Sequence, residues 1–195
     1  MLQTLDSHIP DIKYIKFEPK TDNRGYFTEC FRQSWFNDYN FVQENESMST
    51  GHVLRGLHFQ KEPYAQTKLL RVVTGKIIDV IVDIRPDSPT FKQHISVTLS
   101  SDDFYYLLIP KGFAHGFISL SVYNLIQYKV DNYYNPDYDA GIRYDDPDLN
   151  IKWPIDITNA TISDKDLQLP YLKDLGERFW DEDNFSNRRC RIYRF

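Results

Sequence analysis

Short stretches that alternate between apolar and polar positions dominate the chain from about residue 14 to residue 134. Such alternation is typical of β-strands, whose successive side chains point to opposite faces. Turn-forming residues separate the stretches, and almost no 3.6-residue periodicity precedes residue 160. The pattern predicts strands at 13–17, 27–31, 66–73, 77–84, 93–99, 104–109, 115–120 and 124–130. We therefore expect an all-β fold, a sandwich or jelly roll with a cavity between its sheets.

Helix signals are few and lie mainly near the C-terminus. Residues 33 to 39 are a candidate short helix. Ser163 followed by Asp166 and Leu167 reads as a helix start, and a second short helix is predicted around residues 171 to 175. We expect one domain from residue 1 to 175. The extension 176–195 mixes charges with aromatic residues, so it is expected to pack on the body or a partner, and its role is open.

One predicted strand carries acids on a face that also carries isoleucines. Residues 77–84 place Ile77, Asp79, Ile81 and Asp83 on the same side. A solvent-facing side would expose both isoleucines, and a purely apolar side would bury two carboxylates. A partly polar cavity accommodates all four side chains.

Composition narrows the class of function. The 195 residues fit one domain, and the 14 Tyr and 13 Phe suit strands. A formal net charge of -5 argues against nucleic acid as a partner. Only Cys30 and Cys190 occur, which is typical of a reducing cytoplasm. No leader-like or membrane-spanning apolar run is visible, so we expect a soluble, cytoplasmic protein without a membrane partner.

His58 is the first candidate for chemistry. It ends an apparent strand, with Arg55 before it and Lys68 after it, and a histidine near cations can stay neutral at pH 7 and act as a base. From spacing alone, the stronger interpretation of His58 is a structural histidine held by hydrogen bonds in the core. His115, which follows the turn Pro110-Lys111-Gly112, has the same two interpretations.

The interpretation of His58 and His115 as metal ligands is weaker. Metal-binding cupins, which are jelly-roll proteins, generally supply a His-x-His pair and a further histidine after a Pro-x-Gly turn. His115 fits the second element, but position 60 is Gln60, so His58 lacks its partner. A catalytic transition metal needs three or more protein ligands, and the sequence does not visibly assemble them. We expect a cavity without metal.

An ordered series of motifs extends from about Phe17 to Leu172. They are DNRGYFTE (22–29), FVQEN (41–45) with Ser47 and Ser49, VLRGLHFQ (53–60), QTKLLRV (66–72), IPKGFAHG (109–116), YK (128–129), YYNP (133–136), GI (141–142), DDP (145–147), IKWP (151–154) and SDKD (163–166). In these motifs the chain resembles the dTDP-4-dehydrorhamnose 3,5-epimerases, which are cupin-type enzymes. One such segment would be weak evidence for the resemblance, but a collinear series of them is specific evidence.

The resemblance implies a substrate and a set of catalytic roles. The substrate is dTDP-4-keto-6-deoxy-D-glucose, whose ketone acidifies the hydrogens on both neighbouring carbons. Epimerisation needs a base, an acid on the opposite face and a group that stabilises the enolate, but no redox cofactor. By position in the motifs, His58 is the base, Asp166 orients it, Tyr128 is the acid and Lys68 stabilises the enolate oxygen.

The resemblance also implies residues that contact the substrate, and a homodimer. In the family the N-terminal strands cross to a partner subunit, so Arg24 and Glu29 would serve the neighbour's site. The other expected contacts are Gln43, Glu44, Asn45, Arg55, Lys68, His115 and Lys165. Asp79 is expected on the cavity face, where it would tune the polar network. Asp139 stands where the family pattern has a Glu, which leaves its nucleotide contact in question.

Structural alternatives stand beside these roles. Asp166, three residues after Ser163, is also where a capping box would place an acid. Lys68 also fits a solvated edge charge, and only the family pattern selects Tyr128 among the tyrosines. Three rival functions remain open. The first is a mono-epimerase of a related nucleotide 4-keto-sugar, the second a non-catalytic sugar-binding cupin, and the third, disfavoured by Gln60, a metal-dependent oxygenase.

Overall fold

The all-β prediction is confirmed: the computed structural model, which describes residues 3–153 and 155–176, consists of two stacked antiparallel sheets and a small hairpin. The strands are β1 (Gln3–Asp6), β2 (Lys13–Lys16), β3 (Lys20–Asp22), β4 (Gly25–Phe27), β5 (Gln43–Thr50), β6 (Leu54–Gln60), β7 (Lys68–Thr74), β8 (Lys76–Asp83), β9 (His94–Ser100), β10 (Tyr105–Ile109), β11 (Phe113–Ser119), β12 (Tyr123–Val130) and β13 (Asp139–Gly141). The predictions for the C-terminal extension and Cys190 lie outside the described residues.

The two sheets divide the strands between them. The first sheet has six strands in the order β1-β2-β10-β7-β12-β5, and the second has five in the order β13-β6-β11-β8-β9. β3 and β4 form a separate two-stranded hairpin. Except for β1–β2 and β8–β9, neighbouring strands in each sheet are not consecutive in sequence, so residues from distant motifs meet in the space between the sheets.

Helical structure among the described residues is short. The helix α1 covers Asp164–Leu167, and single 3₁₀ turns cover Gln33–Trp35, Pro136–Tyr138 and Leu172–Asp174. The predicted helix start at Ser163 is confirmed, because its side chain accepts a hydrogen bond from the Asp166 N–H. The predicted helices at 33–39 and 171–175 are shorter than expected. Among the residues placed by the structure, no helix is long and apolar enough to cross a bilayer.

Both faces of β8 are buried, which explains its long apolar run. Ile77 and Ile81 face the six-stranded sheet and pack into the core between the sheets. Val80 and Val82 point the other way, where the segment from Gly141 to Leu175 covers them. Burial of apolar surface on both sides of this strand stabilises the sandwich and anchors the C-terminal segment to it.

Two strand predictions need correction. No strand covers residues 28–31: β4 ends at Phe27, and Phe31 stacks on Phe36, with ring centroids 5.7 Å apart. Aromatic packing replaces backbone pairing there. Asp83 does not face a cavity either, because its carboxylate accepts hydrogen bonds from Arg85, Ser88 and Thr90 in the turn that follows β8.

Candidate active site

A cavity of about 210 Å³ lies between the two sheets. The five-stranded sheet lines it with Arg55 and His58 from β6 and with His115 from β11. The six-stranded sheet faces them with Lys68 from β7 and Tyr128 from β12. The groups expected to transfer protons therefore come from opposite walls.

His58 and Asp166 form a hydrogen-bonded pair at the cavity wall. His58 Nε2 and Asp166 Oδ1 are 2.8 Å apart, which is the hydrogen-bonding contact that an orienting role requires. Asp166 Oδ2 accepts a hydrogen bond from the Gly56 N–H at 3.0 Å. The backbone N–H of Asp166 donates to Ser163 Oγ, which caps the helix. The two alternatives for Asp166 are therefore compatible, because its backbone N–H is capped while its carboxylate contacts the histidine.

The environment of Asp166 favours its charged form. Burial alone would raise the pKa of this carboxyl, but hydrogen bonds from His58 and the Gly56 N–H outweigh it, so the pKa is lowered. An ionised Asp166 fixes the ring of His58 through Nε2 and leaves Nδ1 available. Because His58 is 32% exposed, the ring is accessible from the cavity.

Two glycines bring the histidine strands together. Gly56 has a φ of +116°, and a Cβ at this position would lie 2.6 Å from the Gly116 Cα. A Cβ on Gly116 would in turn lie 2.6 Å from the Arg55 carbonyl oxygen. Neither position accepts a side chain without moving a strand. This close approach sets the register in which His58 lies opposite His115.

His115 forms a second histidine–aspartate pair, deeper in the protein. His115 Nε2 lies 2.7 Å from Asp79 Oδ2, and Asp79 is fully buried. Burial raises the pKa of Asp79 and lowers the pKa of His115, and their mutual attraction opposes both shifts. Asp79 thus lies behind the cavity wall and acts on the cavity through His115 and Lys68.

Lys68 lies next to the backbone of His58. Its Nζ is 3.4 Å from the His58 carbonyl oxygen. Burial lowers the pKa of Lys68 to about 8, while the negative charges of Asp79 and Asp139 oppose the shift. The ammonium form therefore predominates at pH 7, and few other charges compensate it. The solvated-edge alternative for Lys68 is wrong, because its side chain lines the cavity.

Tyr128 occupies the opposite wall as a neutral phenol. Burial raises the pKa of Tyr128, and the positive charge of Arg55 and a hydrogen bond with Asn45 only partly offset that effect. Asn45 is held in turn by Gln43, whose Nε2 donates to Asn45 Oδ1 at 2.9 Å. Gln43 and Asn45 face the same way, as their spacing on β5 predicts.

The remaining expected contacts on this chain lie at the rim. Arg55 donates to Ser49 Oγ and to the Met48 carbonyl oxygen, which holds its guanidinium near the opening. Asp139 and Lys165 both line the cavity and form an ion pair. The shorter Asp139 therefore still reaches the cavity.

Five expected contacts are not among the residues that line the cavity. Gln43 and Asn45 act on it through Tyr128, and the other three are Glu44, Arg24 and Glu29. Glu44 faces the outside of the six-stranded sheet, because it is one residue out of phase with Asn45, and it pairs with Lys129 at 2.6 Å. Glu44 therefore does not line the cavity of this chain, and its contact with substrate stays a prediction. Arg24 pairs with Asp22 and Glu29 with Arg32, both on exposed segments that do not line the cavity.

Two hydroxyl-bearing residues that line the cavity, Ser47 and Tyr134, were given no role from the sequence. Ser47 lies on the inner face of β5, and its place two residues after Asn45 is a signal that could have identified it. Tyr134 donates its hydroxyl to Asp139 Oδ2 at 3.2 Å.

Gln60, which stands where a metal-binding cupin would have its second histidine, makes other contacts. Gln60 donates its side-chain amide to the Tyr64 carbonyl oxygen and accepts the Asn135 N–H, so it braces a loop. Within the ranges 3–153 and 155–176, no three histidine, cysteine, aspartate or glutamate side chains are grouped as metal ligands.

Comparisons with known proteins agree with this geometry. The family model for dTDP-4-dehydrorhamnose 3,5-epimerase matches residues 6–174. A relative of that name from Shigella flexneri is 44% identical over 191 residues, covering 94% of this chain and 99% of its own. The crystal structure of a 3,5-epimerase from Legionella pneumophila in complex with dTDP-4-keto-L-rhamnose is 38% identical, with a TM-score of 0.86, and the match covers 90% of this chain and 95% of that one.

A further solved structure extends the agreement. The dTDP-4-dehydrorhamnose 3,5-epimerase from Bacillus anthracis, with TDP and pyrophosphate bound, is 44% identical with a TM-score of 0.83, and the match covers 88% of this chain and 99% of that one. The fold and the matches define a cupin-type sugar-nucleotide epimerase, an isomerase. Within that class, the chain belongs to the dTDP-4-dehydrorhamnose 3,5-epimerase family.

Proposed function

We propose that this protein epimerises dTDP-4-keto-6-deoxy-D-glucose at carbons 3 and 5, giving dTDP-4-keto-L-rhamnose for dTDP-L-rhamnose biosynthesis. The observation that carries the proposal is the His58–Asp166 pair on one wall of the cavity, with Tyr128 on the other wall. Membership of the epimerase family supplies the substrate.

The first step is removal of a proton from a carbon next to the ketone. His58 takes the proton, and the C–H electron pair moves to the ketone oxygen as an enolate. Asp166 holds the imidazole ring and stabilises the imidazolium that forms. Lys68 stabilises the enolate oxygen, because an ammonium in a partly desolvated cavity interacts strongly with developing negative charge.

The second step returns a proton to the opposite face of the same carbon. Tyr128 donates it, the enolate becomes a ketone again, and the carbon is inverted. The raised pKa of Tyr128 keeps the phenol protonated before the step, as an acid requires. Proton exchange with solvent then restores neutral His58 and protonated Tyr128, so the cycle consumes nothing but substrate.

Proton NMR in deuterium oxide tests the proposal directly. Purified protein, without added metal, is expected to convert dTDP-4-keto-6-deoxyglucose while deuterium enters at carbons 3 and 5. Deuterium at one carbon only would instead indicate a mono-epimerase. Binding without exchange would contradict catalysis altogether, and loss of activity with a chelator would contradict the metal-free site.

Replacing Tyr128 by Phe separates the two steps. Tyr128→Phe is expected to retain proton exchange by His58 but to form inverted product at least about 10²-fold more slowly, since a general acid contributes about that much. Exchange and product formation are followed in the same NMR experiment. Wild-type product formation would show that another group is the acid.

A homodimer with exchanged N-terminal strands completes this proposal. The β3–β4 hairpin exposes Tyr26 by 63% and Phe27 by 74%, and large exposed aromatics mark contact surfaces. Arg24 and Glu29 lie beside them, outside this chain's cavity. Crossing to a second copy would bring both residues to the partner's site, where Arg24 suits a diphosphate because its fork binds two oxygens.

Mixed dimers test this exchange. Arg24→Ala and His58→Ala homodimers are each expected to be impaired. A heterodimer of the two has one site with both changes and one intact site if Arg24 acts on its partner, so mixing and re-forming the dimers restores activity. No recovery in verified heterodimers would place Arg24 in its own chain's site or outside both.

We place the protein in the cytoplasm, where its sugar nucleotide would be made.

A further inference from the structure

Ser47, on the cavity wall, has a buried hydroxyl with no hydrogen-bond partner among the described residues. Buried hydroxyls are nearly always hydrogen-bonded, so an orphan at a cavity wall points to a partner that arrives with the ligand. Rotation about χ1 to another staggered rotamer would redirect the oxygen.

The neighbours of Ser47 on the strand show where that partner lies. The inner face of β5 carries four polar side chains, Gln43, Asn45, Ser47 and Ser49. Asn45 bonds Tyr128, and Ser49 accepts from Arg55 at 3.2 Å. Residues two apart on a strand are roughly 7 Å apart, so Ser47 lies between the group proposed as acid and the arginine at the rim.

The proposed substrate has one hydroxyl in the corresponding place. Its reactive carbon 3 lies next to carbon 2, and carbon 2 lies next to carbon 1, which bears the diphosphate. With carbon 3 at Tyr128 and the diphosphate towards Arg55, the carbon 2 hydroxyl comes level with Ser47. We infer that Ser47 hydrogen-bonds this hydroxyl and makes the enzyme selective for sugars that carry it, an inference that rests on the proposed function.

The absence of another partner for Ser47 Oγ among the described residues makes the contact selective. Leu70 and Phe117 also line the cavity and offer no hydrogen bond from their side chains. A 2-deoxy sugar would therefore leave the Ser47 hydroxyl unpaired in the closed complex. Sites built to bond a substrate hydroxyl discriminate against an analogue that lacks it, because the protein group then loses its partner.

The test compares two substrates on two enzymes. kcat/KM is measured with dTDP-4-keto-6-deoxyglucose and with its 2-deoxy analogue, for wild type and for Ser47→Ala. Wild type is expected to prefer the 2-hydroxy sugar by roughly tenfold, the value of one neutral hydrogen bond. Ser47→Ala is expected to lose that preference by becoming slower with the 2-hydroxy sugar only.

Control measurements separate this inference from other causes. Ser96→Ala, an exposed serine on β9, is expected to behave as wild type with both sugars. An equal loss on both sugars in Ser47→Ala, or unchanged selectivity, would overturn the contact with the carbon 2 hydroxyl. If wild type turns over neither sugar, the proposed function fails, whereas wild-type turnover with an unchanged Ser47→Ala removes only the role of Ser47.

Discussion

The two histidine–aspartate pairs of this protein have nearly the same geometry and different surroundings. His58 and Asp166 are 2.8 Å apart, and His115 and Asp79 are 2.7 Å apart. Both histidines lie opposite each other on adjacent strands. His58 opens to the cavity, whereas Asp79 is fully enclosed.

We infer from this difference that environment, rather than pairing, decides what such a unit does. Asp166 receives extra hydrogen bonds that lower its pKa, so it stays charged and supports a base. Asp79 has a raised pKa and an Oδ1 without a hydrogen-bond partner among the described residues. We therefore expect the open pair to control catalysis and the enclosed pair to control stability and the charge on Lys68.

The largest effect is expected from replacing the two histidines in parallel. His58→Ala should abolish proton exchange, with kcat falling at least about 10³-fold and little change in Tm, because Asp166 keeps its bonds to Gly56 and Ser163. His115→Ala leaves a buried carboxylate unpaired and should lower the free energy of unfolding by about 3–5 kcal/mol. Thermal unfolding and NMR exchange measure both. Equal loss of exchange in well-folded His115→Ala would break the comparison.

A smaller effect is expected from neutralising each aspartate. Asp166→Asn keeps an acceptor for the Gly56 N–H but removes the charge that supports an imidazolium, so kcat should fall roughly 10²-fold with KM nearly unchanged. Asp79→Asn, which acts through His115 and Lys68, should cost less than about tenfold at pH 7. Steady-state kinetics at fixed pH distinguishes the two. The reverse order would assign the catalytic role to the enclosed pair.

The smallest effect is a shift in the pH profile. Lys68 has a pKa lowered to about 8, so its ammonium is present below that pH and is lost above it, and kcat/KM should decline as pH rises through about 8. The charge of Asp79 raises this pKa, so Asp79→Asn should move the decline to lower pH. The profile is measured from pH 6 to 10. An unmoved alkaline limb would show that Lys68 and Asp79 are not coupled.

Periodicity predicted the central strands because each one buries at least one face. β8, β9 and β12 agree with the predicted ranges to within about one residue at their starts and ends. Two strands outside the predicted ranges, β5 and β6, do bury side chains, but β5 is almost wholly polar, and Arg55 and Gly56 interrupt the apolar alternation of β6. The other failures lie where the chain has no such face. β1, β3 and β4 are almost wholly exposed, so no apolar alternation marks them, and β13 is only three residues long.

The site was predictable only in part, because its pairs join distant segments. His58 and Asp166 are 108 positions apart, and only the family resemblance connected them. His115 and Asp79 were each assigned to the cavity, but nothing in strand alternation indicates that they bond. The phase of Glu44 relative to Asn45 on β5 already indicated that the two side chains face opposite ways. A motif indicates which residues lie near a site. The alternation of side chains along each strand then determines which of them face the cavity.

The placement of site residues on two separate sheets has a stereochemical consequence. A flat enolate held between the walls presents one face to the sheet that carries His58 and the other to the sheet that carries Tyr128. If those residues exchange protons with it, inversion follows from the separation of the walls and needs no rearrangement of the protein. The configuration of the product would then be determined by the positions of the two sheets. A variant that retained the configuration of the carbon would need both proton-transfer groups on one sheet.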